Sequence, residues 1–411
     1  SEDTRDIYVK YFLWLVAGFS FFTYVHEVIK EVMTSTFTDF YHYFMNAKLL
    51  AQGFDIWKTD SPEVIAQTNL MISQLGVSCK AVIVHSMGFF LIFSPLTFLP
   101  PETAVILWVV LCQISFILSI AIIFKTVEGI DRGKALCGIF LVFNFWPLRE
   151  DLHLGQPNAL ILLLLSLSLF SVKHKQFLLA GIFLGLGIQM KEFFLPMLLF
   201  CLRKKYWKML AGALCILVLV KCEAIFVFGI DKEFSYWSHH AQFFSSLLNF
   251  SSGRGIDIFS VSLVDLWHRL SKGLLHARIS QSIMVIFFSS VLWRAWKLTG
   301  QNKDEVKSGK LLLEFCFFIT FCFILSPWVH EINLIVLCLP LLVSWCYIAN
   351  RPSNVNFILF AVAYLILGLK YSFISFPFCA SGILASLLAV KAAGCVFLFF
   401  LIDRLLRQDM P

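Results

Sequence analysis

The sequence predicts an all-α polytopic membrane protein. Of its 411 residues, 59% are hydrophobic and only 14% are charged, 45 are Phe, and long apolar runs are separated by short basic clusters. Runs of this kind read as membrane helices rather than as the core of a water-soluble domain. The net charge of +7 carries no nucleic-acid signal, because the basic residues concentrate in short connections. The 12 Cys mostly stand singly inside apolar runs with no CxxC spacing, so they read as small buried hydrophobes rather than as a disulfide or metal framework.

The chain reads as one domain over 1–411: a first span (7–29), a long loop (30–102), a helical module (103–228), a second loop (229–278) and C-terminal helices (279–402). The first apolar run, 8–28, lacks a small-residue cleavage site and is expected to be retained. Residues 81–99 are apolar but interrupted by Ser94-Pro95 and closed by Pro100-Pro101, which predicts a helix lying in or re-entering the membrane. Further spans are expected at 103–124, 135–146, 159–172, 178–189, 194–202 and 206–228. A polar loop (229–257) and an interfacial helix (258–270) follow. The last spans are 279–296, 311–326, 332–348, 355–371 and 379–401. The total is about twelve, several shorter than the roughly 20 residues of a straight crossing.

Basic clusters orient these spans. Lys125/Arg132/Lys134, Lys173/Lys175, Arg203/Lys204/Lys205/Lys208, Arg294/Lys297/Lys303, Arg351 and Arg404/Arg407 all fall on one side if 81–99 does not cross, and that side is predicted to be cytoplasmic. The remaining turns then face the exoplasm. They gather Asp39, His42, Arg149, Glu150, Asp151, His153, Gln156, Asn158, Lys191, Glu192, His239, His240, Arg254, Asp257 and His330, with Trp146, Trp237 and Trp328. Ionisable groups at membrane depth are costly and mark substrate routes or functional cavities.

The most concentrated of these stretches is 36–53. At helical spacing Asp39, His42, Tyr43 and Asn46 share one face, beside an apolar stripe of Phe40, Phe44, Ala47 and Ala51. Thr36 or Thr38 is a candidate N-cap, and Gly53 a natural stop. The plain reading is an amphipathic helix in the headgroup layer; the alternative is a wall of a polar substrate site. The other members have plain readings too. Lys191-Glu192 reads as a self-neutralising pair or a functional one, His239-His240 as decoration of a solvated loop, and Gly155-Gln156-Pro157-Asn158 as a helix-opening turn.

The ordered set of motifs resembles the GT-C membrane glycosyltransferases, and within them glycosyltransferase family 87. The matching features are Asp39-Phe40-Tyr41 leading to Gly53, Ser94-Pro95-Leu96 with Leu99-Pro100-Pro101 and Trp108, and Gly155-Gln156-Pro157-Asn158. To these add Ala180-Gly181, Gly185-Leu186, Lys191 and Pro196, then Leu325-Ser326-Pro327-Trp328-Val329-His330 and Leu339-Pro340. The chain departs from the family pattern at Glu331, where a second His is common, and near 254–262.

The resemblance implies a GT-C fold in a cell (inner, cytoplasmic) membrane and transfer of a glycosyl residue on the exoplasmic face. The donor would be a polyprenyl-phosphate sugar, with mannose first and arabinofuranose second, and the acceptor a glycolipid or glycan. No cofactor or metal is expected, since no acidic cluster in these loops has ligand spacing. The resemblance casts Asp39 as catalytic general base in an inverting transfer. It casts Lys191, Arg254 and His330 as donor-phosphate ligands, and His42, Tyr43, Asn46, Gln156, Asn158, Trp237 and Trp328 as sugar or acceptor contacts. A lipid-linked sugar flippase or transporter is the rival; internal pseudo-symmetry, which transporters often show, is not visible.

Overall fold

A computed structural model describes residues 4–76, 85–248, 262–264, 266–267, 277–298, 308–326, 329–368, 370 and 390–408. It is 86% helical, with no strand among the described residues, as hydrocarbon requires of a chain that must satisfy its own backbone hydrogen bonds. The first half comprises α1 (Thr4–Thr34), α2 (Thr38–Ala51), α3 (Pro62–Leu75), α4 (Met87–Phe93) running into a 3₁₀ turn (Ser94–Phe98), α5 (Pro101–Thr126), α6 (Arg132–Phe143), α7 (Trp146–Leu154) and α8 (Asn158–Lys173). The second comprises α9 (Phe177–Met190), a 3₁₀ turn (Glu192–Phe194), α10 (Met197–Lys204), α11 (Trp207–Phe228), α12 (Ile230–Leu248), α13 (Ala277–Leu298) and α14 (Ser308–Leu325). A 3₁₀ helix (Glu331–Leu337), α15 (Cys338–Asn350), α16 (Asn354–Gly368) and α17 (Val390–Gln408) complete it.

Among the described residues, four helical stretches are long and apolar enough to cross a membrane: Tyr11–Thr34, Pro101–Thr126, Trp207–Phe228 and Glu331–Asn350. The count of twelve is not reached by this measure among the described residues. The expected span 194–202 becomes the eight-residue α10, about 12 Å long at 1.5 Å per residue, against a hydrocarbon core of about 30 Å. The outer surface is nonetheless apolar. Phe12, Leu15, Phe19 and Phe22 of α1 are exposed, as is Phe226 of α11. A continuous apolar exterior of this kind suits lipid rather than water. In the interior, α14 buries Phe315, Phe317, Phe318 and Phe321 and so has no outward face.

The residues 229–257, expected as a polar loop, instead carry a 19-residue helix, α12, over their first part. Asp231 and Glu233 in its first turn complement the helix dipole. Glu233, Tyr236 and His240, at i, i+3 and i+7, face the body of the protein through contacts with Lys221 and Glu192. The expected broken helix 81–99 is shorter: α4 starts at Met87, capped by the Ser86 hydroxyl, which accepts from the Phe89 amide at 3.4 Å. Most of 258–270 and the first half of 379–401 lie outside the described residues.

Gly181 and Gly185 of α9 meet Gly212 and its neighbours on α11 backbone to backbone. A Cβ at Gly181 would sit 2.0 Å from the Met209 carbonyl oxygen, and one at Gly212 would sit 2.5 Å from that of Leu178. Close approach of this kind is what small residues permit between membrane helices. Gly181→Ala is therefore expected to destabilise the fold by about 1–3 kcal/mol, read as a lower melting temperature in detergent. Gly187→Ala, where a Cβ would meet nothing closer than 3.8 Å, serves as the tolerated control.

Candidate active site

Asp39 lies in the first turn of α2. Neither Thr36 nor Thr38 caps this helix. Its N-cap is Phe37, held at φ 40° with no side-chain capping bond, while the Ser35 hydroxyl accepts from the Phe37 amide at 3.3 Å. A non-glycine residue in the left-handed region is strained and persists only where surrounding contacts impose it. The turn after α7 packs against this position. Gly155 adopts φ 72°, and a Cβ there would come within 2.9 Å of Phe40 Cβ and 3.5 Å of Phe37 Cδ1. Only glycine lets this turn touch the start of α2, and Trp108 Nε1 pins it by donating to the Gly155 carbonyl at 2.8 Å.

That contact joins two distant pieces of sequence. Gln156 Nε2 donates to Asp39 Oδ2 in a short hydrogen bond. Gln156 Oε1 accepts from Lys191 Nζ at 3.2 Å, and Lys191 Nζ also donates to Asn333 Oδ1. Lys191 sits where α9 ends in extended backbone, and Asn333 is carried by the 3₁₀ helix after α14. Behind this line Asn158 Nδ2 donates to Asp151 Oδ1 at 2.7 Å and to the Ile332 carbonyl at 3.2 Å. Both Asp151 and Asn158 are buried. Asp39 is partly exposed.

Burial moves both charges behind Gln156 toward their neutral forms: the Asp151 carboxyl is pushed up and the Lys191 ammonium down, the latter opposed by Asp151 and Asp39. Lys191 thus loses its proton well below the range of an exposed lysine. Anion binding at this lysine is expected to fail in mildly alkaline solution, and Lys191→Arg, whose guanidinium stays protonated, is expected to retain it. Titrating the affinity for polyprenyl phosphate against pH in both forms checks this.

The remaining sequence-predicted residues distribute as follows. His42 and Asn46 are buried further along the same face of α2. Tyr43 is buried edge-on against His85, Phe89 and Phe93 at 4.9–5.9 Å, with its hydroxyl turned to Gln156. Nine of the fourteen α2 residues are buried, so the helix packs into the protein and does not turn its polar side to water. His330 precedes the 3₁₀ helix, and its carbonyl accepts from the Asn333 amide at 3.0 Å. Trp237 is half exposed on α12 and donates to Glu233 at 2.6 Å, outside the network. Arg254 and Trp328 lie outside the described residues.

Lys191 and Glu192 do not neutralise each other. They diverge: Glu192 accepts from the Tyr236 hydroxyl at 2.6 Å and faces His240 at 3.8 Å. Nor are His239 and His240 loop residues, since both are on α12 and partly buried. Sequence reasoning missed Asn333 and passed over Asp151. Asn333 carries no local signal, whereas Asp151 stands in the charged stretch Arg149–Asp151 shortly before Gln156. A shallow apolar depression lined by Leu141, Phe145, Cys338, Leu342, Trp345 and Tyr364 among others contains no member of the network. Among the described residues no three His, Cys, Asp or Glu side chains are grouped to hold a metal ion.

A family model described as Glycosyltransferase family 87 matches residues 84–327, more than half of the chain. The chain belongs to that family. Within the matched stretch lie Gln156, Asn158 and Lys191; Asp39, His330 and Asn333 lie outside it. Family 87 membership makes the protein a glycosyltransferase, an all-helical membrane protein that joins a sugar donor to an acceptor. Neither the curated proteins nor the solved structures gave a match.

Proposed function

We propose that this family 87 protein transfers a glycosyl residue, mannose in the first instance, from a polyprenyl-phosphate donor to a glycolipid or glycan acceptor on the exoplasmic face. The observation that carries this reading is Lys191. Its ammonium donates to two neutral amide oxygens, Gln156 Oε1 and Asn333 Oδ1, within one hydrogen-bonded line of Asp39. A protonated lysine whose hydrogen bonds go to neutral amides rather than to a carboxylate leaves its charge available to an incoming anion, and a lipid phosphate is the anion a membrane delivers.

In this reading the donor phosphate docks on Lys191, with His330 and Arg254 as further candidate ligands. Asp39 Oδ1 or Oδ2 takes the proton of the acceptor hydroxyl as that oxygen attacks the anomeric carbon from the face opposite the phosphate, so configuration inverts. The C1–O bond to phosphate breaks and its electron pair leaves with the phosphate. A phosphate monoester has a second pKa of about 6, so it departs without a protein acid. One carboxylate then suffices, unlike the pair used in glycoside hydrolysis. Gln156 fixes the orientation of the Asp39 carboxylate and Asn158 holds the wall behind it. Tyr43 contributes its hydroxyl at Gln156, while Trp237 and Trp328 are candidate sugar platforms at the rim.

The test is transfer in lipid nanodiscs offered polyprenyl-phosphate-mannose, polyprenyl-phosphate-arabinofuranose or a nucleotide-mannose, with a membrane-lipid extract as acceptor. The reading expects product from polyprenyl-phosphate-mannose and none from the nucleotide sugar. Product only from the arabinofuranose donor would replace the sugar, and product only from the nucleotide sugar would sink the lipid-phosphate reading.

A further inference from the structure

The α2 face beyond Asp39 holds two buried nitrogens that no hydrogen bond uses. His42 Nε2 and Asn46 Nδ2 are both shielded from solvent and lack a partner. Their residues are 8% and 2% exposed, and they lie one helical turn apart. Side chains at i and i+4 have Cβ atoms about 5–6 Å apart, a spacing that two hydroxyls of one sugar ring can span. Native proteins seldom leave buried polar atoms unsatisfied, and those that do so keep them for a reason.

His85 closes this face from the other side. Its ring stacks on Phe89 at 4.2 Å and meets the edge of Tyr43 at 4.9 Å. It also lies beside the backbone of Met190, the residue before Lys191. The polar face of α2 is therefore walled by a ring that sits against the end of α9. Burial lowers both His42 and His85 below the ordinary imidazole range, so near neutral pH they present neutral ring nitrogens and no charge. This separates the chemistry of the two halves of the site: cationic at Lys191, neutral along α2.

We propose that His42, Asn46 and His85 form a subsite for the hydroxyl groups of an uncharged sugar ring, with His42 Nε2 and Asn46 Nδ2 as its recognition atoms. The inference rests on the glycosyl-transfer reading and deepens it. The ring belongs either to the donor or to the acceptor, and the two sources share the same chemistry. A site that desolvates its hydrogen-bonding groups in this way discriminates strongly against sugars lacking the matching hydroxyl, because the protein atoms would then stay unpaired.

Two measurements test it. The first needs no ligand. Unpartnered buried nitrogens cost the free protein stability, and Asn46→Leu or His42→Phe removes that cost at similar volume. At least one variant is expected to melt above the wild type in nanodiscs; lower melting temperatures for both would mean structural partners and overturn the proposal.

The second compares binding of polyprenyl-phosphate-mannose with that of polyprenyl phosphate. If Asn46→Leu abolishes the gain conferred by the sugar, with polyprenyl-phosphate affinity unchanged, the subsite takes the donor ring. If that gain persists but the acceptor KM rises by about tenfold or more, the scale of one lost hydrogen bond to a buried group, it takes the acceptor ring. No change in either would overturn it. Failure of the wild type to bind either lipid or to transfer would instead strike the donor reading, while the melting comparison would still decide whether α2 carries unpaired recognition atoms.

Discussion

Asp39→Asn is expected to lower glycosyl transfer by about 10²–10⁴-fold, the usual contribution of a positioned general base, while leaving donor binding intact. The geometry makes the variant informative. The substituted side chain would keep an amide oxygen to accept the hydrogen bond that Gln156 Nε2 now gives Asp39, so the contact between α2 and the Gly155 turn survives. Lys191 keeps its bonds to Gln156 and Asn333, so the proposed phosphate site survives too. What disappears is the capacity to take a proton. Initial rates under saturating donor, with polyprenyl-phosphate affinity measured in parallel, read the two effects separately. Activity close to that of the wild type would remove Asp39 from the chemistry, whereas loss of both rate and binding would assign it to the scaffold.

Lys391→Met is expected to destabilise the fold by about 3–5 kcal/mol. Lys391 of α17 is fully buried and paired with Glu331, itself buried. Removing one partner strands the other charge in a low-dielectric interior, and that penalty exceeds what the pair contributes when intact. Glu331 opens the 3₁₀ helix that carries Asn333 to Lys191 and the Ile332 carbonyl to Asn158, so the damage should reach the site. The double variant Lys391→Met/Glu331→Gln is expected to recover most of the lost stability, because no uncompensated charge remains. Thermal unfolding in detergent of the single and double variants measures both. A double variant no more stable than Lys391→Met would show that the penalty does not come from the stranded carboxylate.

Glu331 is the counter-ion of a lysine 60 residues later in the chain. Nothing near Glu331 in the sequence points to Lys391, which reads as one more residue of a mostly apolar C-terminal stretch.

The class of the protein was legible in the residues because hydropathy is a local property. Runs of Phe, Leu and Ile state their solvent without reference to the rest of the chain, and the α5, α8, α9 and α11 helices fall within a few residues of the expected runs. The face shared by Asp39, His42, Tyr43 and Asn46 was legible for the same reason, since helical period alone sets it. So was Gly53 as the end of α2, where φ reaches 93°. Less legible were α12, whose Ser, His and Gln residues mimic a loop until Glu192 and Lys221 give them partners, and α10, whose length an apolar run does not fix.

Hydropathy and the order of motifs were enough to mark a helical membrane glycosyltransferase of family 87, and they brought out Asp39, Gln156, Asn158 and Lys191 as groups of interest. Which of these side chains meet is a matter of packing. Gln156 bridges Asp39 and Lys191 because Gly155 admits the start of α2 and α9 ends at the right depth, and Asn333 completes the line from 142 residues beyond Lys191 in the chain. Lys191 and Glu192, adjacent in sequence, turn to different partners. Period and hydropathy are properties of neighbours along the chain, while a hydrogen bond between side chains depends on how helices pack, and packing is set by contacts that no local window contains.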